Sequence, residues 1–283
     1  MDDPVVVTPL GEISELRSPA IGGLVATVRI GRLGDGTLVV VKWAGPHPDS
    51  PGNLAAEADI LHQLADGDLP VPRLLHAEPG LTITSWLPGR IDLDRADHDH
   101  LGTLAGQLLK LQSAPLAGLA PFESWADPEA VPPPWGDHGL WSEAIALAAE
   151  SVPAVPADAL VLCHRDFHPG NLLITAEKVT GIVDWGNACS AAVDVDVAHM
   201  ANNLACLHGV DAAVDFVAQY VRRGGPLTGR PHWWAYEIVS WLPDPAHILP
   251  PWQAARPDLN PEQVRSRCEG LLAWALRGGP SVL

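Results

Sequence analysis

An aspartate, an asparagine five residues later and a second aspartate further on carry the most chemistry in this chain. Asp166 and Asn171 lie in His164-Arg165-Asp166-Phe167-His168-Pro169-Gly170-Asn171, and Asp184 opens Asp184-Trp185-Gly186. A carboxylate can accept the proton of a hydroxyl, and amide and carboxylate oxygens are hard ligands that suit Mg²⁺. Such a set suits phosphoryl transfer, in which an oxygen-held Mg²⁺ neutralises charge building on phosphates. A competing arrangement uses His164, Asp166 and His168, at alternate positions, as three transition-metal ligands of a hydrolase, with His98 and His100 in reserve. It is the weaker of the two, because it leaves Asn171 and Lys42 without a task.

The spacing fits the catalytic loop of kinases, in which the Asp accepts the hydroxyl proton and the Asn five residues on holds a magnesium ion. Together with Ile182-Val183-Asp184-Trp185 the segment resembles the aminoglycoside phosphotransferase family, which shares the protein-kinase fold. The resemblance implies Asp166 as catalytic base and Asn171 and Asp184 as magnesium ligands. It also implies structural support from His164 and from Asp196, in Asp196-Val197-Ala198, which resembles the family's brace of the catalytic loop. Arg165 departs from the small residue usual in that family and reads as structural. Only eleven residues separate Asp184 from Asp196 and no Ala-Pro-Glu element follows, so no long activation segment exists for a phosphate to order.

The first part of the chain supplies further matches. Val39-Val40-Val41-Lys42-Trp43 resembles the strand whose Lys binds the α- and β-phosphates. Glu57 falls on the apolar stripe of the following helix, beside Leu54, Ala58 and Leu61, where an unpaired carboxylate is costly. An ion pair with Lys42 resolves that conflict; the alternative is an ordinary strand lysine and a helix-edge glutamate. Residues 18–24 offer Gly22 and Gly23, whose backbone N–H groups could approach phosphates closely or could equally form a plain hairpin turn. Ser85, Trp86 and Leu87 fall where kinases hold the nucleotide base through the linker backbone. Side-chain identity there does not choose between ATP and GTP, and ATP is the default donor.

These residues need elements to position them. Short β-rich runs at 5–8, 13–17, 24–31 and 37–44 are joined in part by Gly34-Asp35-Gly36, a hairpin signal. A helix follows Asn53, and strands follow at 73–77 and 81–87. Pro88-Gly89 marks a boundary, giving a nucleotide-binding lobe over 1–87 and a lobe over 88–283 that carries the catalytic loop and the acceptor site. In the second lobe the pattern predicts helices at 94–112, 139–151, 195–208, 212–222, 232–242 and 261–276, with short strands at 160–163 and 179–183. The expected fold is α+β: a bilobal protein-kinase-like fold with an antiparallel-sheet N-lobe and a mostly helical C-lobe.

Composition narrows the partners. A net charge of −17, from 17 Lys and Arg against 34 Asp and Glu, argues against nucleic acid. The acidic excess serves either solubility or the steering of a basic substrate. Four cysteines without paired spacing read as free thiols. No signal-peptide pattern opens the chain and no apolar run reaches bilayer length, so neither membrane nor export is expected and the cytoplasm is the expected location.

The acceptor is less defined. The resemblance implies that residues 115–141 and the final helices frame the acceptor, and Trp125, Trp135, Trp141, Trp233, Trp234, Trp241 and Trp252 crowd those segments; Trp234 could stack on a flat ligand, while Glu237 and Asp244 could receive an ammonium group. The leading expectation is O-phosphorylation of an antibiotic, whether aminoglycoside-like, nucleoside or macrolide, giving resistance by inactivation. A metabolic small-molecule kinase of the ketosamine, choline or homoserine type is the runner-up. A kinase-like binding module without activity fits poorly with Lys42, Asp166, Asn171 and Asp184 all present.

Overall fold

The structure, a computed structural model, describes residues 6–19, 26–115 and 118–281. Its strands and α-helices are, in chain order, β1 (Val6–Thr8), β2 (Gly11–Arg17), β3 (Ala26–Leu33), β4 (Leu38–Ala44), α1 (Ser50–Leu64), β5 (Leu74–Glu78), β6 (Leu81–Ser85), α2 (His98–Gln112), α3 (His138–Ala148), β7 (Val161–Cys163), β8 (Leu172–Thr175), β9 (Lys178–Ile182), β10 (Cys189–Ala191), α4 (Asp194–His208), α5 (Val210–Arg222), α6 (Pro231–Val239), α7 (Leu249–Trp252) and α8 (Pro261–Leu276). Two compact units form: the first runs to Ile91 and takes in Gly170–Ala188, and the second is Asp92–Pro169 with the chain from Cys189 onward. Strands dominate the first unit and helices the second, the segregation that defines an α+β protein.

The first unit is an antiparallel sheet in the order β1-β2-β3-β4-β6-β5. The Gly34-Asp35-Gly36 signal makes the β3–β4 hairpin: Gly36 has φ +88° and its N–H donates to the Leu33 carbonyl at 2.8 Å. Side chains alternate across a strand, so Val39 and Val41 join Ile13, Leu81 and Ile83 in an apolar core on one face of the sheet. Lys42 points to the other face, in register with Val28 on β3 and Thr82 on β6. Helix α1 begins at Ser50 rather than after Asn53, because Pro51 sits in its first turn, where a missing N–H costs no hydrogen bond.

The sequence breaks the chain between Leu87 and Pro88, whereas the first unit continues to Ile91 and also holds the β8–β9 hairpin. Backbone pairing explains this. Arg90 and Ile174 exchange N–H to carbonyl bonds of 3.1 and 2.8 Å, and the Ile182 N–H donates to the Pro70 carbonyl at 2.8 Å. Gly89, at φ +127°, allows the crossing, since a Cβ there would lie 2.7 Å from Thr180 Oγ1.

In the second unit α4 is the central element: every residue from 194 to 207 is buried. Helices α5, α6 and α8 pack on it, and α2 packs on α5. Strand β7 pairs with β10 and delivers the chain into the His164–Asp166 segment. β8 and β10 have no counterpart among the expected strands, because runs of four and three residues are too short to show a period. All four cysteines are buried free thiols. Among the described residues no helix is long and apolar enough to cross a membrane.

Candidate active site

The expected site residues fall into two groups, one in each unit. In the first unit the Lys42 ammonium donates to Glu57 Oε1 and Oε2 at 2.7 and 2.9 Å and to Asp184 Oδ1 at 3.0 Å. Glu57 is 3% exposed on α1 and also accepts the Trp185 N–H at 3.3 Å. Burial disfavours the Lys42 ammonium, but the Asp184 and Glu57 carboxylates outweigh it and hold its pKa above the ordinary lysine value. Lys42 is therefore a fixed positive charge at a point where one side chain from the sheet, one from α1 and one from the segment after β9 converge.

The β8–β9 hairpin aligns the two oxygen donors. Leu172 pairs with Ile182, so Asn171 and Asp184 leave the same open end, and the Val183 N–H donates to the Asn171 carbonyl at 3.0 Å. Asn171 is 8% exposed, whereas the Asp184 side chain is half exposed. One carboxylate and one amide oxygen are the donors Mg²⁺ takes when substrate phosphates complete its shell, so this pair fits that ion. Asp184 has φ +68°, in the left-handed region that Asp, with its short polar side chain, enters more readily than most L-residues. Gly186 explains how the segment reaches α1: a Cβ there would meet the Asn53 carbonyl oxygen at 2.9 Å and Asn53 Cβ at 3.1 Å. Gly186→Ala is expected to destabilise the protein by about 1–3 kcal/mol through this overpacking, read as a lowered thermal midpoint.

Gly22 and Gly23 lie outside the described residues. In the linker, the Ser85 N–H donates to the Arg73 carbonyl at 2.9 Å and the Trp86 N–H to the Leu38 carbonyl at 3.3 Å. Those two N–H groups are committed to the sheet, so a base held by the Ser85 or Trp86 backbone would use their carbonyls.

In the second unit Asp166 follows β7 on a backbone held from α4. The Asp196 carboxylate accepts the N–H groups of His164 and Arg165, both at 2.7 Å. Burial pushes Asp196 up to about 6 against the pull of those two bonds. Arg165 has φ +70°, the left-handed region in which any residue with a Cβ is strained and only glycine is at ease. Its guanidinium is stacked 3.7 Å from the Trp125 ring centroid and 4.8 Å from that of Phe122, and donates to Glu237 Oε2 at 3.4 Å. Desolvation disfavours the Asp166 carboxylate, but His168 and His199 hold its pKa well below the usual range. His168 Nε2 is 3.5 Å and His199 Nε2 3.1 Å from Asp166 Oδ1. Among the described residues no group of three or more His, Cys, Asp or Glu is placed to hold a metal by itself, so the hydrolase-type cluster of His164, Asp166 and His168 is not assembled.

Three expected acceptor contacts need correction. Trp234 is 1% exposed and packs edge-on to Trp274 at 5.3 Å between centroids. Glu237 is 3% exposed and binds His199, Arg165 and Trp241. Asp244 caps the turn at Pro245–Ile248 and is ion-paired with Arg265. The first two belong to the core, and the third already has its cation. His199 was not among the expected site residues; Trp125, one of the tryptophans expected in the segments around the acceptor, is 45% exposed against Arg165 and is the one exposed tryptophan among the described residues.

Comparison with known proteins bears on the fold and the family. Solved structures with the same fold include an aminoglycoside-3'-phosphotransferase of type VIII, at 23% identity and TM-score 0.55 over 80% of this chain and 92% of that one. They include an amicoumacin kinase in complex with AMP-PNP, Ca²⁺ and amicoumacin, at 12% identity and TM-score 0.64 over 92% and 87%. A macrolide 2'-phosphotransferase from Brachybacterium faecium matches at 20% identity and TM-score 0.52 over 91% of each chain. At these identities the likeness establishes the bilobal protein-kinase-like fold. No curated protein matches the chain. The model of the phosphotransferase enzyme family matches residues 16–237, most of the sequence, and the chain belongs to that family.

Proposed function

We propose that this chain transfers the γ-phosphate of a nucleotide to a hydroxyl of a small molecule, most directly an antibiotic that the transfer inactivates. The observation that carries the reading is the Lys42 ammonium bonded at once to Glu57 and Asp184, in the unit that also holds Asn171. In this reading Lys42 positions the α- and β-phosphates, with Glu57 fixing its side chain. Asn171 and Asp184 would hold Mg²⁺, which when bound offsets charge on the transferring group. Asp166 takes the proton of the acceptor hydroxyl as that oxygen attacks the γ-phosphorus in line. An oxygen–phosphorus bond forms, the bond to the β-phosphate oxygen breaks, and the nucleoside diphosphate leaves. The AMP-PNP and Ca²⁺ bound by the amicoumacin kinase support a nucleotide donor and a divalent cation here.

Glu237 and Asp244 are already paired, which shifts the acceptor reading away from a polycation held by those carboxylates. Exposed Trp125 favours an acceptor held by stacking, such as a nucleoside or a macrolide sugar. The test is a coupled kinase screen of antibiotics and metabolic alcohols with ATP and GTP separately, with and without Mg²⁺. Magnesium-dependent phosphorylation of at least one antibiotic is expected. Turnover with a metabolic alcohol alone would move the assignment to the ketosamine, choline or homoserine class, and nucleotide binding without any turnover would leave only a binding module.

A further inference from the structure

From the partly exposed Asp166 a series of alternating charges runs into the interior. His199 Nε2 meets Asp166 Oδ1 at 3.1 Å, and His199 Nδ1 meets Glu237 Oε1 at 3.0 Å. Glu237 accepts the Trp241 Nε1–H at 2.8 Å on Oε1 and Arg165 Nη1 at 3.4 Å on Oε2. An ionised carboxylate only accepts, and a neutral imidazole has one N–H to give. Both ring nitrogens of His199 face carboxylates, so both must donate, which requires the imidazolium. Asp166, His199, Glu237 and Arg165 then alternate in sign and sum to zero, so the three buried members and the partly exposed Asp166 leave no uncompensated charge in the interior.

We infer that His199 is a positioning residue of the reaction: as a permanent imidazolium between Glu237 and Asp166, it fixes the rotation and the charge of the carboxylate that takes the acceptor proton, while Arg165 neutralises Glu237. The inference rests on Asp166 being the base. It also accounts for Arg165, whose strained backbone and burial make sense if its charge is needed behind Glu237. The groups facing His199 are Asp166 and His168 of the catalytic loop, with the His168 ring 5.8 Å away, Asp196 one turn earlier on α4, and Glu237 of α6. Arg165 and Cys268 face Glu237 in turn. Burial works against the His199 charge, but the Glu237 and Asp166 carboxylates raise its pKa to about 10.

The sign of the pH effect follows. A histidine whose folded pKa exceeds its unfolded one contributes stability that is complete below about 6.5 and is lost as pH rises toward about 10. The first test is a ¹⁵N side-chain NMR titration of the histidines in the full chain. One imidazole is expected to keep both N–H protons two units above the ordinary histidine value, at about pH 8.5. Its signal should vanish in His199→Gln and titrate nearer neutrality in Glu237→Gln, so the assignment survives if either variant fails to fold. No doubly protonated imidazole at that pH would overturn the inference. The second test follows Mg²⁺–ATP turnover with water as acceptor. His199→Gln is expected to lower kcat about 10- to 100-fold, as removal of an orienting partner does, with the KM for ATP unchanged and the acid limb of the rate profile moved to higher pH. An inert Asp166→Asn variant beside an unaffected His199→Gln variant would sink this inference alone. An Asp166→Asn variant that keeps full turnover would sink the base assignment, and this inference with it.

Discussion

Asp166→Asn is expected to lower kcat by about 10²- to 10⁴-fold, the range a general base contributes, while nucleotide affinity stays close to wild type. Asparagine keeps the shape of the side chain and an oxygen to accept the His199 N–H. What it loses is the negative charge and the capacity to take a proton, so the change isolates chemistry from architecture. The residues assigned to the nucleotide, Lys42, Asn171 and Asp184, all lie in the first unit, and Asp166 lies in the second. Binding and transfer should therefore separate in a single variant, measured by calorimetric titration with ATP and by steady-state turnover. Equal losses in affinity and in rate would mean that the variant disturbs the fold rather than the base.

Lys42→Met should be costly twice over. Methionine fills much of the same space but leaves Glu57, 3% exposed, with no ammonium beside it. Removing one partner of a buried ion pair costs about 3–5 kcal/mol, which a chemical-denaturation curve would show at once. The Trp185 N–H still bonds Glu57 and tempers that loss. Transfer should fall about 10²- to 10³-fold, the usual effect of deleting one electrostatic contact to the transition state. Adding Glu57→Gln to Lys42→Met should recover much of the stability, because the orphaned charge is gone, yet none of the activity. Recovery of both together would show that Lys42 matters only for folding.

The parts of this arrangement that the sequence made legible are those with rigid spacing. Asp166 and Asn171 are separated by the few residues that turn from β7 toward β8, and Asp184 must follow a strand paired back onto that turn. Glu57 could be paired with Lys42 because a carboxylate on an apolar helix stripe is a local contradiction that needs a partner. Glu237 shows the limit of reading acids as surface groups. It stands among Trp233, Trp234, Tyr236 and Trp241, a run too apolar for a solvent-facing helix, and that signal argued for burial. Asp244 before Pro245 carries the pattern of an N-cap rather than a ligand.

His199 was harder to find, since its partners come from the catalytic loop and α6 and no spacing rule links them. One clue was available: it lies three residues after Asp196, on the same helix face as the carboxylate that braces the catalytic loop. β8 and β10 escaped because runs of four and three residues show no period, and β10 also pairs with β7, some 26 residues away. The positive φ of Arg165 runs against the local preference of an arginine, so sequence alone gives no sign of it.

Calorimetric titration of ATP into the wild-type chain and into Lys42→Met, each with and without Mg²⁺, tests most directly whether the Lys42–Glu57–Asp184 convergence is a nucleotide site. Binding that needs magnesium and weakens by about tenfold or more in the variant, roughly 1.4 kcal/mol, is the predicted result. Equal affinity in both proteins, indifferent to magnesium, would contradict it.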